Sequence, residues 1–131
     1  MFGDELSILG VYGLIVALTL VAQATGAMGR LGMGYMMSSR DEPATLGRYT
    51  SRLDRALANS VVAMALFAPA VLIVVLQDRT GAGSLLACQA FLIARTVYIP
   101  AYVAGVPGLR TLAWLAGFAA TILLYFLGIG G

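Results

Sequence analysis

Arg95, Tyr98 and Tyr102 recur at steps of three and four residues, the spacing that puts side chains on one face of a helix. Arg52, Arg55 and Asn59 repeat the same arithmetic further upstream. Guanidinium is permanently charged and matches a carboxylate or phosphate through planar, paired hydrogen bonds. Phenol and amide groups add further donors, so the two rows describe a receptor for an anion. The chain holds no histidine and a single cysteine, Cys88. The usual ligands of a zinc, haem or iron–sulfur centre are therefore missing, and no metal site is expected. Cys88 sits in an apolar run without a neighbouring base and reads as a packing residue rather than a nucleophile.

The elements that must position these rows are membrane helices. Of the 131 residues, 60% are hydrophobic and only 11% are charged, against about 25% charged in a soluble domain. Four apolar segments, 6–28, 57–77, 84–104 and 109–127, each approach the ~20 residues that cross a hydrocarbon core. The fold class expected is an all-α integral membrane protein, a single four-span domain over residues 1–131. The first segment is too long, and its flank (Asp4, Glu5) too acidic, for a signal peptide. Ser51 followed by Asp54 predicts an N-terminal cap for the second helix. Pro69 and Pro100 fall inside spans, where they kink a helix and free carbonyls. Gly10, Gly13 and Ala17, and Ala113, Gly117 and Ala120, are small residues at spacings that let helices approach closely.

Arginine asymmetry sets the expected orientation. The connection 29–56 carries Arg30, Arg40, Arg48, Arg52 and Arg55, and the third connection ends at Arg110, whereas the second has only Arg79. The positive-inside rule then puts the long loop in the cytoplasm and both termini outside. The formal net charge of +2 gives no reason to expect nucleic acid. With this orientation, Asn59 lies roughly 10 Å along its helix from Arg52, and Tyr102, Tyr98 and Arg95 lie roughly 3, 9 and 14 Å from Ala104. All fall in the cytoplasmic half, with Arg30 ending span one and Arg110 opening span four, so one shared pocket is expected. Arg52 or Arg110 alone would equally suit a side chain reaching for lipid headgroups. Arg95 is deeper, in a stretch from Ser84 to Gly105 with no other charge, and an ionisable residue at such depth marks a functional site.

Two of these motifs carry a resemblance. Arg55-Ala-Leu-Ala-Asn59, with Arg52 one turn before and Phe67 two turns after, resembles the second-helix signature of the MAPEG family, the membrane-associated proteins in eicosanoid and glutathione metabolism. Ala94-Arg95-Thr-Val-Tyr98-Ile-Pro-Ala-Tyr102, followed by Gly105, Pro107 and Leu109-Arg110-Thr111, resembles that family's third helix and the start of its fourth. The likeness covers nearly the whole chain and is greatest to the family's bacterial branch, which implies a bacterial inner membrane.

The resemblance implies a homotrimer of four-helix protomers with glutathione, a co-substrate, bound between neighbours. By position, Arg52, Arg55 and Asn59 would hold its carboxylates and backbone, with Arg95, Tyr98 and Tyr102 on the other wall. Arg110 matches the arginine that stabilises the glutathione thiolate, and Arg30 is a candidate for a second catalytic arginine near the hydrophobic acceptor. The activity implied is that of a glutathione-dependent transferase or peroxidase acting on hydrophobic electrophiles or lipid hydroperoxides, both reached from the membrane lipids. One position departs: where the family usually carries Glu, three residues after the motif asparagine, this chain has Val62. A non-catalytic protein of the same fold, binding an anionic lipid or small acid, is the alternative. A third reading is a small membrane scaffold or pore subunit whose arginines only anchor headgroups. The Gly29-Arg-Leu-Gly32-Met-Gly34 stretch has no preceding strand and is not a phosphate loop.

Overall fold

A computed structural model describes residues 3–31 and 48–130, with side chains for 3–26 and 51–130. The backbone forms α1 (Glu5–Leu31), α2 (Arg48–Leu76), α3 (Ala82–Ala104) and α4 (Pro107–Gly130). Among the described residues there is no strand, and all four helices are long and apolar enough to cross a membrane. The fold is thus the all-α, four-helix membrane bundle expected. Arg40 lies outside the described residues, as do the side chains of Arg30 and Arg48 and most of the connection between α1 and α2.

That connection is shorter than the composition suggested, because residues 29–31 and 48–56 are helical. The cap expected at Ser51 is consequently wrong: α2 is already running at Arg48, and Ser51 completes its first turn. A cap is worth only about 1 kcal/mol, too little to interrupt a helix whose preceding residues, Arg48, Tyr49 and Thr50, tolerate it. Arg52 and Arg55 therefore ride on a helix and are held by it.

α1 begins under Asp4, whose carboxylate accepts the Ser7 N–H (2.7 Å) and the Ser7 hydroxyl (3.1 Å). These bonds hold the Asp4 carboxyl below its ordinary range. Next to it, Glu5 turns inward, is only 6% exposed, and accepts from the Ser84 hydroxyl. Ser84 in turn takes the Gly81 N–H at 2.8 Å, closing the first turn of α3. One carboxylate thus ties the starts of α1 and α3 together.

The core is built around a ring stack. Phe67 and Phe91 lie face to face (centroids 3.7 Å, 4° apart), and Tyr12 meets both edge-on at 6.1 and 4.9 Å. Ile8, Val71, Val74, Cys88 and Leu124 close around it. α3 has the lowest mean hydropathy of the four helices, 1.4 against at least 2.1, and is also the most enclosed. Being sheltered from lipid is what lets it carry the polar row. Pro69 removes one N–H from the α2 ladder, and in the same turn the Tyr125 hydroxyl of α4 donates to the Leu66 carbonyl (2.7 Å). The small residues divide. A Cβ at Gly128 would come within 2.7 Å of Ile73 Cγ2, and one at Gly117 within 3.4 Å of Arg95 Cδ, so these two mark close approaches. Gly10 and Ala17 are exposed, and Gly10 has no neighbour within 4 Å, so the expectation that they bring helices together inside the chain fails.

α3 stops at Gly105, in the left-handed conformation (φ 76°, ψ 39°). The Val106 N–H bonds the Ala101 carbonyl at 3.0 Å and the Gly105 N–H bonds that of Tyr102 at 3.1 Å, the paired closure of a Schellman motif. Only Gly105 and Val106 separate α3 from α4. Pro107 occupies the first helical position, where its missing N–H costs nothing.

Candidate functional site

Antiparallel packing of α2 on α3 brings the two polar rows together in order. Arg52 meets the C-terminal turn of α3, its Nη1 donating to the Val103 carbonyl at 3.1 Å and its guanidinium lying against Gly105. One turn of α3 has orphan carbonyls there, and Arg52 serves one of them. Two turns along, Asn59 and Arg95 line the same cavity, with Val62, Leu66, Trp114, Phe118 and Thr121. Its volume is about 140 Å3.

Arg95 is the largest side chain in the core and only 2% exposed. Its Nη2 donates to the Ser60 hydroxyl at 3.1 Å, and Cζ sits 4.0 Å from the centre of the Tyr98 ring. Ser60 is itself anchored to α1, since the Tyr12 hydroxyl donates to its carbonyl at 2.8 Å. Gly117 leaves the groove on α4 along which the arginine stem runs. Arg95 Nε and Asn59 Oδ1 are buried without a hydrogen-bond partner among the described residues. A buried polar group left this way costs about 1–3 kcal/mol. No residue lining the cavity is acidic.

Tyr98 also faces a second, more open cavity of about 220 Å3, shared with Arg110, Thr111 and Trp114. Tyr102 stands beside it, 5.7 Å from Tyr98 between ring centres, and Arg110 Cζ lies 4.7 Å over the Tyr102 ring. Arg110 is in the first turn of α4, where unpaired N–H groups and the helix dipole already favour negative charge. Trp114, the chain's only tryptophan, belongs to both cavities and forms the wall between them.

The single pocket expected from depth is therefore two cavities, each too small for a tripeptide by the usual scale of ligand sites, ~300–1,000 Å3. Arg55 projects from α2 into neither and is exposed. Arg30 is on α1, with its side chain outside the described set.

The two arginine motifs sit on facing helices, and the family model described as the MAPEG family matches residues 6–130. The chain belongs to the MAPEG family. No curated protein matches it significantly by sequence. As in the sequence motifs of this MAPEG chain, Asn59 and Arg95 face each other across α2 and α3, and Val62 lies on the wall of their cavity, 60% exposed. Tyr12, Ser60, Trp114 and Gly117 escaped sequence reasoning as site residues. Ser60 and Tyr12 carry no signal, since a hydroxyl beside Asn59 or a tyrosine in an apolar helix is ordinary. Trp114 lies one turn after Arg110 on α4, and that spacing was the available clue.

Proposed function

We propose that the protein is a membrane-embedded glutathione-dependent transferase or peroxidase whose thiolate forms beside Arg110. The observation that carries this reading is the Arg110 cavity: a guanidinium lying over the Tyr102 ring, the Tyr98 phenol and a helix N-terminus around an open space whose lining includes no acid. A nearby cation and a helix N-terminus lower a thiol's pKa and raise its thiolate fraction, and membership of a glutathione-metabolising family supports the choice of thiol. In this reading Tyr98 and Tyr102 flank the sulfur, and Arg52 and Arg55 at the start of α2 meet the carboxylates. Asn59 and Arg95 line its inner wall, and Arg30 stands near the acceptor. The thiolate attacks an electrophilic carbon, whose leaving group departs with the bonding pair, or the terminal oxygen of a hydroperoxide, whose O–O bond breaks as the alkoxide leaves with the pair and takes a proton. A second glutathione then condenses with the resulting sulfenic acid to give the disulfide and water. The chain needs no nucleophile of its own, in keeping with the buried Cys88.

Neither cavity accommodates glutathione by itself, so the reading requires a second copy to complete the site, in a homotrimer. It also puts both termini outside and the Arg110 end of the bundle at the cytoplasmic face of a bacterial inner membrane. Titrating glutathione into the detergent-solubilised protein is expected to raise ultraviolet thiolate absorbance, and Arg110→Ala to abolish it. Absence of that signal at saturating glutathione would sink the reading. A second reading, an anion-binding protein without turnover, is favoured by Val62, which leaves no carboxylate for the ammonium of glutathione in the Asn59 cavity.

A further inference from the structure

We infer that the Arg95 cavity binds a small apolar monocarboxylate, an aryl or short acyl acid that carries no ammonium group. The inference draws on Arg95 and Asn59 rather than on Arg110, and holds whether or not the protein forms a thiolate.

Depth gives the cavity a direction. Arg95 is 2% exposed and lies at the floor, whereas Val62, Trp114 and Phe118 are 60%, 39% and 42% exposed and surround the mouth. A ligand entering from the mouth leads with the group that Arg95 attracts and leaves its apolar part among the rings. Trp114 and Phe118 are stacked in parallel, 5.2 Å and 7° apart, so that part meets a paired aromatic surface. The volume of about 140 Å3 is close to the ~150 Å3 of an apolar cavity that takes up benzene. A single ring or a short acyl chain fits; a tripeptide or a phospholipid headgroup does not.

Charge selects the leading group. Among the described residues the groups beside the Arg95 guanidinium, the Ser60 and Tyr12 hydroxyls and the Tyr98 ring, are neutral. The described acids are elsewhere: Glu5 is held by Ser84, Asp4 is at the start of α1, and Asp54 and Asp78 are exposed. Among the described residues this guanidinium has no counter-charge, and a carboxylate supplies one with two acceptor atoms. Asn59 assists, because half a turn of its amide exchanges the unpaired oxygen for an NH2 donor aimed at the same anion. With no acid in the lining, an amine gains no partner there, so the cavity favours a monoanion over a zwitterion.

Trp114 makes the site directly readable, since all tryptophan emission comes from the cavity wall. Benzoate added to the detergent-solubilised full chain is expected to change that emission saturably. Benzyl alcohol and benzylamine, of the same ring size, should bind at least about ten-fold more weakly, one tenfold step being ~1.4 kcal/mol. Val62→Glu puts an acid at the mouth, at the position where the MAPEG family usually carries Glu, and should weaken benzoate by about ten-fold or more while favouring benzylamine, because like charges repel at close quarters. Arg95→Met should remove benzoate binding. The inference is overturned if benzoate gives no saturable change, if benzyl alcohol matches it, or if Val62→Glu leaves its affinity intact. Thiolate absorbance on the same sample separates the two ideas: thiolate without benzoate binding refutes only this inference, and benzoate binding without thiolate refutes only the enzyme.

Discussion

Arg95 shows how a buried charge persists with no opposite one beside it among the described residues. Burying a guanidinium costs several kcal/mol. Its return is one hydrogen bond from a charged group, about 1.5–3 kcal/mol, and a desolvated cation–π contact of about 2 kcal/mol, here to Ser60 and Tyr98. The two sides nearly cancel, so Arg95 adds little to the stability of the protein without ligand. Arg95→Met, similar in length and apolar, is expected to unfold at or above the parent's thermal midpoint in detergent. Ser60→Ala keeps the charge but removes its hydroxyl partner, and should lose about 1–3 kcal/mol. A large drop for Arg95→Met would mean that the guanidinium is a structural tie. These residues also mark the limit of sequence reading at this scale. Arg95 announced itself as a charge among apolar residues, but Ser60, its partner 35 positions away, is one hydroxyl among many.

At the scale of elements, the end of α3 does most to set the site. Gly105 turns the chain so sharply that α4 starts two residues later, bringing Arg110 back over Tyr102. The left-handed conformation costs a residue with a Cβ roughly 1–2 kcal/mol, and a Cβ there would also come within 2.8 Å of Arg52 Nη1. Gly105→Ala is therefore expected to lose at least about 1 kcal/mol in thermal unfolding and to weaken glutathione thiolate formation, as Arg110 shifts. An unchanged thiolate signal would separate the turn from the site. The apolar segments made the four helices legible, since length and composition suffice for a span. Their ends were less so. α2 begins well before its apolar segment because a helix leaving the lipid keeps its hydrogen bonds in polar sequence, and no breaker stands between Arg48 and Leu57.

For the whole molecule, the two cavities in one chain are smaller than the proposed co-substrate, which argues for assembly. Native mass spectrometry in detergent is expected to find three copies, and a phosphatase fused to the C-terminus to be active outside the cytoplasm. A monomer that still forms the thiolate would refute the shared site. Exposed Leu14, Leu18, Leu112, Leu115 and Phe126 suit either lipid or a neighbouring copy, since lipid tails and leucine are equally apolar.

The sequence by itself determined the membrane class, the four helices, the family and the identity of the two arginine rows. Hydropathy and three- and four-residue spacing are properties of a single segment, and each could be read without knowing its neighbours. Only the tertiary structure decided how the rows are used: Arg52 on the end of α3, Arg95 against Ser60, Arg110 over Tyr102, and Trp114 between two cavities. Those pairings depend on which faces of different helices meet, and depth along separate helices does not contain that information.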